Sequence, residues 1–350
     1  MSISGFHGAW NFDVRSADGR WRALRCCGGG YNRRVLRVGV IGAGNMGRHH
    51  VRILSDLDGC RLVGLADPDE AKAALAAEHH VAYFADHRPL LDAGLDLAVI
   101  AAPTHLHYEL ACDALAAGCH LLIEKPIGDD PEKAEDLIAR AGSAKRAVAV
   151  GHVERFNPAV QELKRMVDDG ELGEVLTVNN LRVGPYHGRI LDTGIVLDLG
   201  THDVDLISYL LGQRAVSVFA SAIQRRHNHE DHAVLHLAFP GNHCGVVETS
   251  WLAPYRARNI FLVGTEHFAL CDLINQLILV YEDNPEGSNL LAGLRNVPQG
   301  EPLRNELESV VRSVVDGTPP LCSAEESVYA LRVCQAALKS IATGQSVAVE

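Results

Sequence analysis

The stretch V-L-R-V-G-V-I-G-A-G-N-M-G, residues 35–47, decides the fold. Its first seven residues are mostly apolar and rich in β-branched side chains, the pattern of a buried strand. Glycines follow at 42, 44 and 47 in the spacing G-x-G-x-x-G, and residues 45–57 read as a helix. The next apolar run, 61–67, ends in Asp67, 20 residues after Gly47. Strand, glycine turn, helix, second strand and acid, in that order, specify a dinucleotide-binding unit. Gly42 permits the tight turn, Gly44 lets backbone approach a pyrophosphate, and Gly47 allows close helix–strand packing. The helix start offers free N–H groups and a positive dipole end to phosphates. Asp67 can accept from both ribose hydroxyls and repels a 2′-phosphate, so NAD is expected over NADP.

Outward from this unit the alternation continues. Residues 95–103, 119–126 and 147–152 read as buried strands, and 69–79, 106–118 and 130–145 as helices. Apolar strands alternating with helices imply a parallel sheet covered on both faces. After Gly151 the texture changes. Helical stretches at 158–169 and 201–211 are followed by strand-like runs at 174–183, 215–224, 231–239, 243–252, 258–264 and 276–281, then helices at 301–316 and 324–342. That predicts an α+β region with a large, mostly antiparallel sheet. The expected organisation is a Rossmann NAD-binding domain over 35–150 and a substrate and oligomerisation domain over 151–350. Residues 1–34 show no sustained period and no apolar signal-peptide core, and are expected to be a poorly ordered extension.

The 350 residues carry 32 Lys and Arg against 44 Asp and Glu, a net charge of −12. That argues against nucleic-acid or anionic-membrane partners and leaves small molecules. No apolar run approaches the roughly 18 residues of a membrane span. Nine cysteines, scattered and without a C-x-x-C pair, fit a reduced, cytoplasmic chain better than a disulfide framework. The His-rich run 227–236 lacks a second ligand cluster, so no metal is expected; its histidines, and His49, His50, His79 and His80, are read as solvated or cross-strand. Cys119 is read as a core cysteine.

Two further stretches carry candidate chemistry. In C-H-L-L-I-E-K-P-I-G, residues 119–128, an apolar strand delivers Glu124 and Lys125 against Pro126, which ends the strand. Asp198 and His202 lie four apart at an expected helix start and share a face that Asp205 extends. A histidine there can move a proton near neutrality, and a carboxylate one turn away can orient it.

V-G-V-I-G-A-G-N-M-G (38–47), E-K-P-I-G (124–128), G-H-V-E-R-F-N-P (151–158) and the D-x-x-x-H pair at Asp198 and His202 occur in this order. Together they resemble the Gfo/Idh/MocA family of NAD(P)-dependent sugar and polyol dehydrogenases, from about Val35 to the C-terminus. The resemblance implies a Rossmann domain followed by an α/β domain whose open sheet forms a homodimer or homotetramer interface. It implies cofactor contacts at Asn45, Met46, Ala102, Pro103, Thr104, His107 and Glu124, beside the three glycines and Asp67. It places Lys125 at the nicotinamide against the reacting hydroxyl, with Asp198 and His202 contacting substrate and His202 as the general base; the proton assignment between Lys125 and His202 stays open. Residues 151–164, 182–185 and 230–234 are most like the UDP-N-acetylglucosamine 3-dehydrogenase branch. A diphosphate substrate calls for cations, so Arg155, Arg182, Arg189, Arg256 and Arg258 are candidates. Asn157 and Tyr186 are added as substrate contacts. Alternatives left open are an inositol or simple sugar dehydrogenase, a glycosidase using NAD transiently, and a non-catalytic NAD-binding regulator.

Overall fold

The computed structural model describes residues 13–15, 21–23, 35–186, 193–226, 228–282 and 291–349. Residues 1–34 form a unit of their own. Its described part is one antiparallel pair, β1 (Asp13–Arg15) with β2 (Trp21–Ala23). The rest of that stretch, expected as a poorly ordered extension, lies outside the described residues.

The second unit begins at Val35. Its first sheet contains β3 (Leu36–Ile41), β4 (Cys60–Ala66), β5 (Ala82–Phe84), β6 (Leu97–Ile100), β7 (His120–Glu124) and β8 (Val148–Gly151). All pairings are parallel, in the order β5-β4-β3-β6-β7-β8. The chain therefore reverses its direction of sheet growth between β3 and β6, the switch point where nucleotides bind in doubly wound sheets. Helices α1 (Gly47–Leu54), α2 (Ala73–Glu78), α3 (His87–Asp92), α4 (His107–Ala116) and α5 (Pro131–Ala144) connect the strands. β5 and α3 were not visible in the sequence, being too short to display a period. α5 shows why its boundary was: Asp130 caps the Glu132 and Lys133 amides and Pro131 occupies the first turn.

Beyond Gly151, α6 (Pro158–Asp168) leads into β9 (Val175–Pro185), and α7 (Thr201–Leu211) into β10 (Ser217–Ile223), β11 (His232–Ala238), β12 (Cys244–Ser250), β13 (Leu252–Gly264), β14 (His267–Asp272), β15 (Leu277–Glu282) and β16 (Leu291–Arg295). Helices α8 (Pro302–Asp316) and α9 (Ala324–Thr343) and the short β17 (Val347–Ala348) complete the chain. The nine strands pair in the order β16-β15-β14-β13-β9-β12-β11-β10-β17, antiparallel except for β9 with β12. The protein is thus α/β, with a parallel sheet followed by a large, mostly antiparallel one.

The parallel sheet ends with Gly151 of β8, but helices from the C-terminal region return to it. Leu303, Leu307, Val310 and Val311 of α8 belong to the core under β3 and α1. α9 contributes Ala324 and Val328 to the parallel-sheet core, and Tyr329, Val333 and Ala337 to the antiparallel one. Both helices return because their apolar faces find a second sheet to cover. The facing ends of the two sheets are thereby fixed against each other. Among the described residues, no helix is long and apolar enough to cross a membrane.

Candidate active site

The glycine turn builds the first half of the site. Gly42 sits at φ +90°, a left-handed conformation that costs a residue with a Cβ. A Cβ on Gly47 would run into the Gly42 carbonyl oxygen, so α1 can start this close to the turn only with glycine. At Gly44 a Cβ would meet nothing of the protein and would project into open space. A cleft of about 950 Å³ lies at this switch point, bordered by Gly42, Gly44, Asp67, Ala102 and Pro103. Asp67 is fixed by the Ala43 amide at 2.7 Å and the Asp69 amide at 2.9 Å. A carboxylate oxygen accepts more than one bond, so capacity remains for ribose hydroxyls. These residues fit a dinucleotide. His87, Arg88, Tyr108 and Arg140 also line the cleft; they come from α3, α4 and α5 and belong to no local motif.

Asn45 and Met46, in the turn before α1, and Thr104, at the start of a 3₁₀ turn before α4, are outside the cleft's lining. Two expected cofactor contacts are placed differently. His107 is buried, its ring nitrogens 3.0 Å from the Pro126 carbonyl and 2.8 Å from the Ala102 carbonyl. It staples two loops together. Glu124 is buried against His50 on α1 at 2.7 Å. His50, read from sequence as solvated or cross-strand, is fully buried on α1, where a carboxylate 74 positions away supplies its partner.

Lys125 follows the last residue of β7 and is joined to Pro126 by a cis peptide. Its ammonium donates to the Asp198 carbonyl at 2.7 Å and carboxylate at 3.0 Å. Asp198 lies in a π-helical turn, Val196–Gly200, that runs into α7. Asp198 was expected to orient His202; it serves the lysine instead, the opposite charge in reach. Asp205, expected on the same face, turns to Arg155. Across 6.3 Å the His202 ring meets His152 edge-on, and His202 Nδ1 is buried without a partner. Burial, reinforced by the charges of Lys125 and Arg182, pushes the His202 imidazole well below its ordinary range. Neutral imidazole is the state from which a base accepts a proton.

The arginines required correction. Arg155 is 2% exposed, with Nε and Nη2 on Asp205 at 2.8 and 2.6 Å and Nη1 on Leu321 and Glu326. Its fork is filled by carboxylates from α7 and α9 and by the Leu321 carbonyl. Asn157 caps α6 and donates to the Leu273 carbonyl, also buried. Arg182 is 5% exposed and pairs with Asp203 at 2.8 Å and Glu154 at 2.9 Å. All three are held by the protein itself. Arg258 differs. It stands directly opposite Arg182 across β9 and β13, donates to the same Glu154 oxygen at 3.0 Å, and its side chain is 47% exposed. Like charges directly opposite repel; burial and then Arg182 disfavour the Arg258 charge, against the opposing pull of Glu154 and Asp203. Tyr186, half-buried after β9, packs on Trp251 with ring centroids 5.4 Å apart. Arg189 lies outside the described residues. Among the described residues, no His, Cys, Asp and Glu group of three or more is arranged to hold a metal ion.

The model of an oxidoreductase family with an NAD-binding Rossmann fold matches residues 36–152, and the GFO/IDH/MocA C-terminal domain matches 160–269. The chain belongs to the Gfo/Idh/MocA family. As a member it is an NAD-dependent oxidoreductase acting on CH–OH groups, within a family of sugar and polyol dehydrogenases. It is 29% identical over 309 residues to the UDP-N-acetylglucosamine 3-dehydrogenase of Acidithiobacillus ferrooxidans, covering 87% of this chain and 96% of that one. It is 27% identical over 333 residues to the myo-inositol 2-dehydrogenase of Thermotoga maritima, covering 90% and 99%. A solved structure of the A. ferrooxidans enzyme superposes with a TM-score of 0.81 at 26% identity, over 89% of this chain and 99% of that one.

Proposed function

We propose that this family member oxidises a secondary hydroxyl of a nucleotide sugar, the 3-hydroxyl of UDP-N-acetylglucosamine, to the ketone. Bound NAD supplies the hydride acceptor. Lys125 holds the substrate oxygen: of its three N–H donors, two are engaged by Asp198, leaving one. His202, kept neutral, takes the hydroxyl proton as the carbon–oxygen double bond forms. Asp198 keeps the ammonium in place and balances its charge.

The observation that carries the sugar-nucleotide reading is Arg258. In a chain of net charge −12, a half-exposed guanidinium is held against a second arginine, close enough for its charge to act on His202. An anion beside it relieves that repulsion, and a neutral polyol does not. The second reading, an inositol dehydrogenase, is supported by relatives of equal coverage. NADH formation with UDP-N-acetylglucosamine, free N-acetylglucosamine and myo-inositol separates them. Faster turnover of myo-inositol overturns the nucleotide-sugar reading; a product without net NADH favours the transient-NAD glycosidase.

We also infer a cytoplasmic homodimer or homotetramer. Phe219 and Ile223 of β10, Phe261 of β13 and Leu277 of β15 are exposed on the large sheet, alternating with buried neighbours. A sheet face bearing several exposed apolar side chains is suited to self-association. Sedimentation equilibrium that finds a monomer would remove this inference.

A further inference from the structure

Glu306 has no role in the chemistry above and is the least expected residue in the molecule. It lies on α8, fully buried, and neither carboxyl oxygen has a hydrogen-bond partner. Buried carboxylates are ordinarily paired, because an isolated charge in a dry interior is very costly. The titratable groups acting on Glu306's neighbourhood are few. The charge of Glu124, at the end of β7, acts on it. His50 of α1 stands behind, bonded to Glu124. Cys322, just before α9, feels its charge. Lys125 and His107 act on Glu124 from the other side.

Two carboxylates in one dry compartment do not both ionise. Glu124 has the partners that favour its charge: His50 at 2.7 Å, then Lys125 and His107. Glu306 has none, and burial with the Glu124 charge pushes its carboxyl well above the usual range. The proton therefore belongs on Glu306.

We propose that Glu306 is a positioning residue acting through Glu124: as a neutral acid it lets Glu124 stay ionised against His50, and so keeps the charge and place of the strand end that carries Lys125. Glu124 joins two working parts of the cofactor site. Lys125 is its chain neighbour, and His50 sits on α1, the helix that starts at Gly47. If Glu306 loses its proton at alkaline pH, both carboxylates carry charge, and the repulsion displaces Glu124 and the strand end that carries Lys125. Turnover then falls with pH from a group that touches neither substrate nor cofactor. This extends the dehydrogenase assignment and is independent of which sugar is oxidised.

The test is the pH dependence of Glu306→Gln, which is neutral at every pH and nearly the same shape. NAD affinity, read by quenching of protein fluorescence, and kcat, read with whichever of UDP-N-acetylglucosamine or myo-inositol the wild type turns over, are measured from neutral to alkaline pH. The wild type is expected to show an alkaline limb with a slope of one proton, absent from Glu306→Gln, with near-wild-type values at neutrality. Infrared spectra of the NAD-bound protein are expected to contain a protonated-carboxyl band that Glu306→Gln lacks. Superimposable pH profiles, or no lost band, overturn the proposal. Should Glu306→Gln not fold, Glu124→Gln reports instead: removing the neighbouring charge shifts both the Glu306 band and the alkaline limb, and an unmoved limb overturns it.

Discussion

The glycine turn at 42–47 and, under the proposed nucleotide-sugar reading, the arginine pair Arg182 and Arg258 meet anions by opposite routes. The turn uses backbone. Gly42, Gly44 and Gly47 place amides at the start of α1 and keep side chains away, so no full charge needs to be buried. The arginine pair uses full charges, and most of them are consumed internally. Arg155 and Arg182 are neutralised by Asp205, Asp203 and Glu154, while the half-exposed Arg258 shares that Glu154 oxygen and keeps further donors for a ligand. Backbone sites are written into a short stretch of chain; side-chain charge sites depend on which carboxylates arrive from elsewhere.

The comparison can be broken or sharpened by substitution. The largest effect is expected at the chemistry between the two regions. Lys125→Met and His202→Ala should each reduce kcat by about 10²–10⁴-fold while NAD titrations stay near wild type, since neither side chain is part of the glycine turn. Near-wild-type NADH formation would remove both from catalysis. Next come the internal arginines. Arg155→Ala leaves Asp205 buried and unpaired, a loss of about 3–5 kcal/mol of stability to be read by urea denaturation. A variant of unchanged stability but raised KM would restore Arg155 to the substrate.

Arg258→Ala should behave in the opposite sense. It should raise KM for UDP-N-acetylglucosamine by about 10–100-fold, the worth of a hydrogen bond to a charged group, with kcat and melting temperature little changed. An equal rise for myo-inositol would show that no phosphate is read there. On the backbone side, Asp67→Ala should weaken NAD by about tenfold, one charge-assisted bond, and narrow the preference over NADP. Calorimetry showing tighter NADP binding by the wild type would refute the role given to Asp67.

The smallest effect is the acid response. His202, His152 and His107 all have imidazoles pushed down, in each case chiefly by burial. In the unfolded chain they take protons near pH 6.5, whereas in the fold they resist until lower pH. Their contribution to stability is therefore complete above about pH 6.5 and is lost as pH falls toward the folded values. The melting temperature should decline progressively from about pH 6.5 downward; a flat profile between neutrality and pH 5 would contradict neutral burial of these rings.

The sequence by itself determined the nucleotide half. The turn, the helix start and Asp67 lie within 26 residues, from Gly42 to Asp67, and each acts through local backbone geometry that glycine spacing and apolar runs reveal directly. It also located most strands of the second sheet, though not β14, β16 or β17, and it named Lys125, Asp198 and His202 through a motif resemblance. The tertiary structure decided which charges are free. His50 reads as a surface histidine until Glu124 arrives from β7. Arg155 reads as a phosphate ligand until Asp205 and Glu326 close on it. Arg258 stands out only because the register of β9 with β13 sets it opposite Arg182. Burial and ion pairing between residues 50 to 171 positions apart are products of sheet register and helix packing, and no local pattern encodes them.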